Sequence, residues 1–249
     1  MRKTWCALCV AGLLCCSAGR LWSGEGDAAL RKLIARAIEA QGGEAKLAKF
    51  NASYRKGSGK FYGLGEGADI TLELTLQGAH QQRFAFEVMK IKVVKVVNGD
   101  KGWIKLGDQK AAAMSKEELA QEKAEMFGVW VTTLVPLKDK AFKFAPLGEV
   151  KVGDRAAIGV RVSHAGHRDV SLFFDKQNHL LLKSEMMVKN FNDDKEVIEE
   201  RFYSDYKDVE GTKQAMKMSA KRDGKRFVEG EISEIQLKEK VDDSTFAAP

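Results

Sequence analysis

Apolar residues recur along this chain at two distinct periods. Leu30, Leu33, Ile34, Ala37 and Ile38 fall on one helical face. Asp27 is placed to cap that helix, and Gly42-Gly43 supply the left-handed stop favoured at helix C-termini. Leu47 and Phe50 continue the same apolar face after a kink. From Asn51 onward the period is two. Ile70, Leu72, Leu74 and Leu76 take one side of a strand and Thr71, Glu73 and Thr75 the other. Such a strand buries one face and wets the other, as in an antiparallel sheet. Phe84, Phe86 and Val88 repeat the alternation, and 91–97 is β-branched and more continuously apolar. Asn98-Gly99 predicts a tight hairpin, because both turn positions call for positive φ. Trp103 and Ile104 begin the returning strand.

One stretch leaves this rhythm. Ser115-Lys-Glu-Glu118 is a capping box, and Leu119, Met126, Phe127, Trp130, Val131 and Leu134 then lie on one helical stripe. Pro136 marks its end. An amphipathic helix inside a β protein has to pack its stripe on a sheet or cover an opening. Strands resume at roughly 140–147, 156–163, 169–175, 179–189, 195–206, 213–222 and 225–237, the last two joined at Asp223-Gly224. No linker or low-complexity tract divides the chain. The expected fold class is mainly β with α (α+β), a single strongly curved antiparallel sheet with helical segments.

Composition changes the picture at the N-terminus. All four cysteines, Cys6, Cys9, Cys15 and Cys16, lie in the first sixteen residues of 249. Arg2 and Lys3, a short apolar core and the small residues Ser17-Ala18-Gly19 together predict an export signal over 1–19, with one domain over 20–249. The exported protein would then be soluble, periplasmic or extracellular, and free of thiols, which excludes disulfides, cysteine nucleophiles and thiolate metal sites. Leu14-Cys15 before Cys16 leaves no small residue for lipid attachment, so no lipid anchor is expected.

The formal net charge is +6, of which Arg2 and Lys3 contribute two. Elsewhere the signs interleave, as in Lys116-Glu117-Glu118 and Lys195-Glu196. The densest basic stretch holds Lys213, Lys217, Lys221, Arg222, Lys225 and Arg226. A solvated β-ribbon explains it, and docking on an anionic membrane surface or a protein partner is the alternative. Nucleic acid is not an expected partner of an exported protein.

Candidate chemistry is sparse. His164-Ala-Gly-His167 resembles a metal pair, but it sits between strands and wants a third ligand, so a solvated hairpin is the simpler reading. Asp193-Asp194, Glu199-Glu200 and Asp242-Asp243 are adjacent carboxylates, and adjacent residues in a strand point to opposite faces. Gly57-Ser-Gly59 and Gly63-Leu-Gly65-Glu-Gly67 lie between strands and read as turns or bulges. No catalytic, cofactor or metal residue is assigned, and no enzyme is expected. What remains is apolar surface: Leu72, Leu74, Phe84, Phe86, Trp103, Met126, Phe127, Trp130 and Phe174 either fill a core or line a cavity.

Five blocks, in order along the chain, resemble the periplasmic lipoprotein-carrier superfamily of the LolA/LolB type. They are the early helix ending at Gly42-Gly43 with Leu47 and Phe50 behind it, then Val97-Asn-Gly-Asp-Lys-Gly-Trp103, then Val152-Gly153 followed by Leu172-Phe-Phe-Asp175 and Leu180-Leu-Leu182, then Tyr203-Ser-Asp-Tyr206 through Gly211, and finally Val241-Asp-Asp-Ser-Thr-Phe246. The resemblance implies an eleven-stranded half-barrel roofed by helices, binding a lipid, a lipoprotein acyl chain or another apolar ligand without catalysis. A non-catalytic scaffold with a solidly packed barrel is the rival expectation.

Overall fold

The computed structural model describes residues 24–190, 193 and 195–249. The expected signal segment and Asp194 lie outside them. Helix α1 (Gly24–Gln41) begins three residues before Asp27, so Asp27 does not cap it. Asp27 sits inside the first turns and accepts from Arg31 Nε at 2.7 Å, an i,i+4 ion pair. Gly42 and Gly43 do end the helix at φ 136° and 86°. A short α2 (Glu44–Lys49) then turns Leu47 into the core.

Six strands follow: β1 (Ala52–Phe61), β2 (Ala68–Gln77), β3 (Gln81–Val88), β4 (Ile91–Asn98), β5 (Lys101–Leu106) and the two-residue β6 (Ala112–Ala113). Helix α3 (Lys116–Thr132) comes next, with a 3-10 turn at Val135–Lys138. Seven more strands complete the chain: β7 (Lys143–Val152), β8 (Arg155–Ser163), β9 (Val170–Asp175), β10 (Leu181–Lys189), β11 (Glu196–Val209), β12 (Thr212–Arg222) and β13 (Lys225–Lys238). A 3-10 turn at Asp243–Phe246 closes it.

Among the described residues all thirteen strands form one antiparallel sheet, ordered 6-5-4-3-2-1-13-12-11-10-9-8-7. Two meanders are thus fused where β13 pairs with β1. The count exceeds the eleven implied by family likeness; an unclosed sheet can gain strands such as β6 at its free edges. Those edges are β6 and β7, so the chain between them has to travel from one side of the curved sheet to the other. That connection contains α3. Its Ser115–Glu118 capping box is formed in both directions, at 3.1 and 2.7 Å.

A bulge marks the place where β1 meets β13. The register slips between Lys56 and Gly57, and a Cβ on Gly59 would lie 1.9 Å from the Glu229 carbonyl oxygen. Glycine at this position is what allows the two strands to approach, and bulges of this kind increase local twist. The main core lies on the helix-covered inner face. Leu33, Ile34 and Ile38 of α1 and Phe127 and Val131 of α3 pack there on Val160, Leu172 and Phe174. A separate cluster on the outer face joins Ala85, Val94 and Val96 to Phe246.

Candidate ligand cavity beneath the crossing helix

Cross-strand register decides which side chains share a face. Phe84 stands opposite Leu74, which stands opposite Arg55, which stands opposite Ile235. The next row is Phe86, Leu72, Gly57 and Ile232. On β4 the same face carries Lys95, opposite Phe84, and Lys95 Nζ is ion-paired with Glu122 of α3. The rows therefore lie on the inner face, under the crossing helix. Leu72, Leu74, Phe84 and Phe86 are only half-buried there, and the two phenyl rings touch at 5.2 Å between centroids.

The other expected lining residues divide. Phe174 is fully buried in the main core with Phe127, and Met126 is 2% exposed, so these three are packing residues. Trp103 stands opposite Val96 and packs on the Phe246 cluster, on the outer face. It is removed from the inner surface by the parity of the sheet. Trp130 lines a cavity of about 110 Å³ beside Phe50, Leu76, Leu181, Tyr203 and Arg55. That volume is well below the roughly 300–1,000 Å³ of ordinary small-molecule sites. A long chain fits only if α3 moves.

The two halves of α3 are held differently. Its C-terminal half is apolar and tight: a Cβ on Gly128 would lie 2.5 Å from Met186 Cε of β10. Its N-terminal half is clasped by polar contacts, Lys95 with Glu122 and Lys123 with Asp100 at 2.8 Å. The exposed Lys123–Asp100 pair contributes about 1 kcal/mol or less, whereas Lys95 and Glu122 are largely covered, at 29% and 12% exposed.

Charge is concentrated midway along the inner face. Glu199, 2% exposed in its side chain, accepts from Arg201 Nε at 2.5 Å and Arg222 Nε at 2.8 Å. Burial alone would raise the Glu199 carboxyl, but the two guanidinium groups outweigh it and hold it below the usual carboxylate range. Glu125 of α3 is pushed upward, first by burial and then by Glu122. Adjacency in sequence gave no sign of this cluster: its members come from β11, β12 and α3. The basic ribbon is not one patch. Arg222 turns inward to Glu199, while Lys213, Lys217 and Lys221 alternate along the outer face. Opposite them stand Asp208, Ser204 and Glu200. Lys225 and Arg226 occupy the exposed hairpin tip, as a solvated ribbon requires.

The histidine pair has a role that its spacing did not suggest. His167 stacks on Phe127 of α3 with centroids 3.7 Å apart, and His164 lies 4.8 Å from Phe142. Among the described residues no three His, Cys, Asp or Glu side chains gather as a metal site. Burial and then His164 lower the His167 pKa below 6.5. The fold therefore favours the neutral ring. The contact contributes fully above pH 6.5 and weakens as pH falls through 6.5 toward the lowered value. NMR titration is expected to place the His167 midpoint below 6.5, and His167→Phe to reduce the acid-side loss of α3 amide protection. An unshifted midpoint would contradict the stacking account.

The geometry defines a LolA-like half-barrel: a curved, unclosed antiparallel sheet whose inner face is crossed by a helix. Solved structures share it. A LolA superfamily protein from Nitrosomonas europaea superimposes with a TM-score of 0.56 at 8% identity, covering 87% of this chain and 96% of that one. A domain from Vibrio parahaemolyticus described as an outer membrane lipoprotein-sorting protein gives 0.53 at 12%, covering 87% and 96%. A DUF1329 family protein from Desulfovibrio piger gives 0.54 at 11%, again covering 87% and 96%. No protein-family model and no curated protein sequence matches the chain. Among the described residues, no helix is long and apolar enough to cross a membrane.

Proposed function

We propose that this chain is an exported periplasmic protein that carries or senses a lipid, a lipoprotein acyl chain or another apolar ligand. The ligand lies between the inner face of the half-barrel and α3. The observation that carries this reading is the half-buried row Leu72, Leu74, Phe84 and Phe86 beneath a helix held there by polar clasps. Protein cores are packed to the density of organic crystals, whereas this row is left partly uncovered. The likeness to a lipoprotein-sorting domain supports the same reading. Binding and release need no catalytic group.

Native mass spectrometry of protein purified from its own periplasm, with lipid extraction alongside, tests it. A bound acyl species is expected. It is lost in Phe84→Asp and kept in Trp103→Gln on the outer face. A second reading, a packed interaction module, is favoured by the small cavity and the tight C-terminal half of α3. Protein that arrives empty and refuses added lipid would establish that alternative.

A further inference from the structure

Arg55 is an inner-face cation that pairs with no carboxylate among the described residues. The most covered arginines elsewhere on this face have a carboxylate: Arg201 and Arg222, 21% and 12% exposed in their side chains, share Glu199. Among the described residues Arg55 makes one side-chain hydrogen bond, from Nη2 to Gln214 Oε1 at 3.0 Å. Its Nε is buried without any partner. A guanidinium has five N–H donors and stays protonated at neutral pH. Burying it against a neutral amide is unfavourable unless something else answers the charge.

The surroundings are arranged to keep those donors available. Gln214 donates from Nε2 to Thr212 Oγ1 at 3.0 Å, and Thr212 donates to the Val209 carbonyl at 2.9 Å. That chain fixes the amide so that its oxygen, not its NH2, faces Arg55. Tyr206 is engaged with the Leu181 carbonyl at 2.6 Å and Tyr203 with Ser184 at 2.9 Å. Both phenols border the same cavity as Arg55. Burial lowers the Arg55 pKa, the effect expected of a cation whose charge is not matched. Directly beside Arg55 on the inner face stand Leu74 and then Phe84.

We propose that Arg55 is the head-group subsite of this cavity. It takes the carboxylate or phosphate oxygens of a single-chain anionic amphiphile whose tail runs over Leu74 and Phe84. The proposal rests on the lipid-binding reading and deepens it. The 110 Å³ beside the guanidinium is of head-group size, and the planar fork of donors suits either oxyanion. The tail then needs only the half-buried row and a lifted α3.

Calorimetric titration of the whole exported chain with dodecanoate, dodecyl phosphate and dodecan-1-ol tests this, with acetate and inorganic phosphate as chain-free arms. Both anionic amphiphiles are expected to bind at least about tenfold tighter than the alcohol. Arg55→Met removes that difference while leaving the alcohol unchanged, and Arg55→Lys keeps part of it. Equal binding of all three amphiphiles to the unmodified protein overturns the head-group subsite, whatever the variants do. An equal weakening of all three in a folded Arg55→Met protein also overturns it. Acetate or phosphate bound alone with the same Arg55 dependence makes this a free-anion site and overturns the amphiphile. No binding of any amphiphile overturns the carrier reading itself.

Discussion

Replacing Glu199 by alanine is expected to cost about 3–5 kcal/mol of folding stability, because it leaves two inner-face guanidinium groups without their shared anion. Arg201 and Arg222 are 21% and 12% exposed in their side chains, too covered for water to replace the carboxylate fully. Arg222 also stacks over the Phe227 ring at 3.7 Å, which restricts its escape to solvent. The Glu199 carboxyl is held below its ordinary value, so its charge stabilises the fold above the unfolded pKa near 4.5. That contribution disappears as pH falls through the lowered folded value. Urea denaturation at neutral pH and at a series of pH values below 4.5 measures both effects. A neutral-pH loss below about 1 kcal/mol, the size of an exposed pair, would mean that the cluster is effectively solvated.

Phe174→Ala carries the second large effect, about 3–5 kcal/mol, since the ring is 0% exposed and its removal leaves a cavity in the main core. Phe84→Ala is the instructive contrast. Its ring is half-buried on the same inner face, so less apolar area returns to water and stability falls by a smaller amount. In ligand uptake the order reverses. Phe174→Ala, measured well below its melting temperature, retains binding, whereas Phe84→Ala weakens it. Equal losses of uptake in both variants would make the two positions one core and remove the distinction between packed and ligand-binding halves.

Much of this architecture was legible because its period is short. Alternation along 69–77 and 83–88 marks strands whatever their partners, and the Ser115–Glu118 box locates the start of α3 by local hydrogen bonding alone. The faces were harder. Val93, Val94, Val96 and Val97 make β4 apolar on both sides, so nothing in that strand says which way the neighbouring Trp103 points. Only the register through two hairpins, Val88 opposite Ile91 and Asn98 opposite Lys101, sends it outward. Phe127, Met126 and Phe174 were candidates for core and cavity alike, and the docking of α1 and α3 decided for core. Asp27 precedes the first apolar residue of α1 as a cap would, but the helix extends back through Gly24-Glu-Gly26, which carry no apolar stripe to reveal it. The Glu199 cluster and the unmatched Arg55 were illegible for a different reason. Their partners lie tens of residues away, across strands that pair only in the folded sheet.

The most direct test of the account is photo-crosslinking with a diazirine-bearing fatty acid, followed by peptide mapping. Label is expected on the peptides holding Leu72 and Leu74, Phe84 and Phe86, and Trp130, and to be competed by unmodified fatty acid. Label confined to the outer face around Trp103 and Phe246, or no competable label at all, would contradict a ligand held beneath α3.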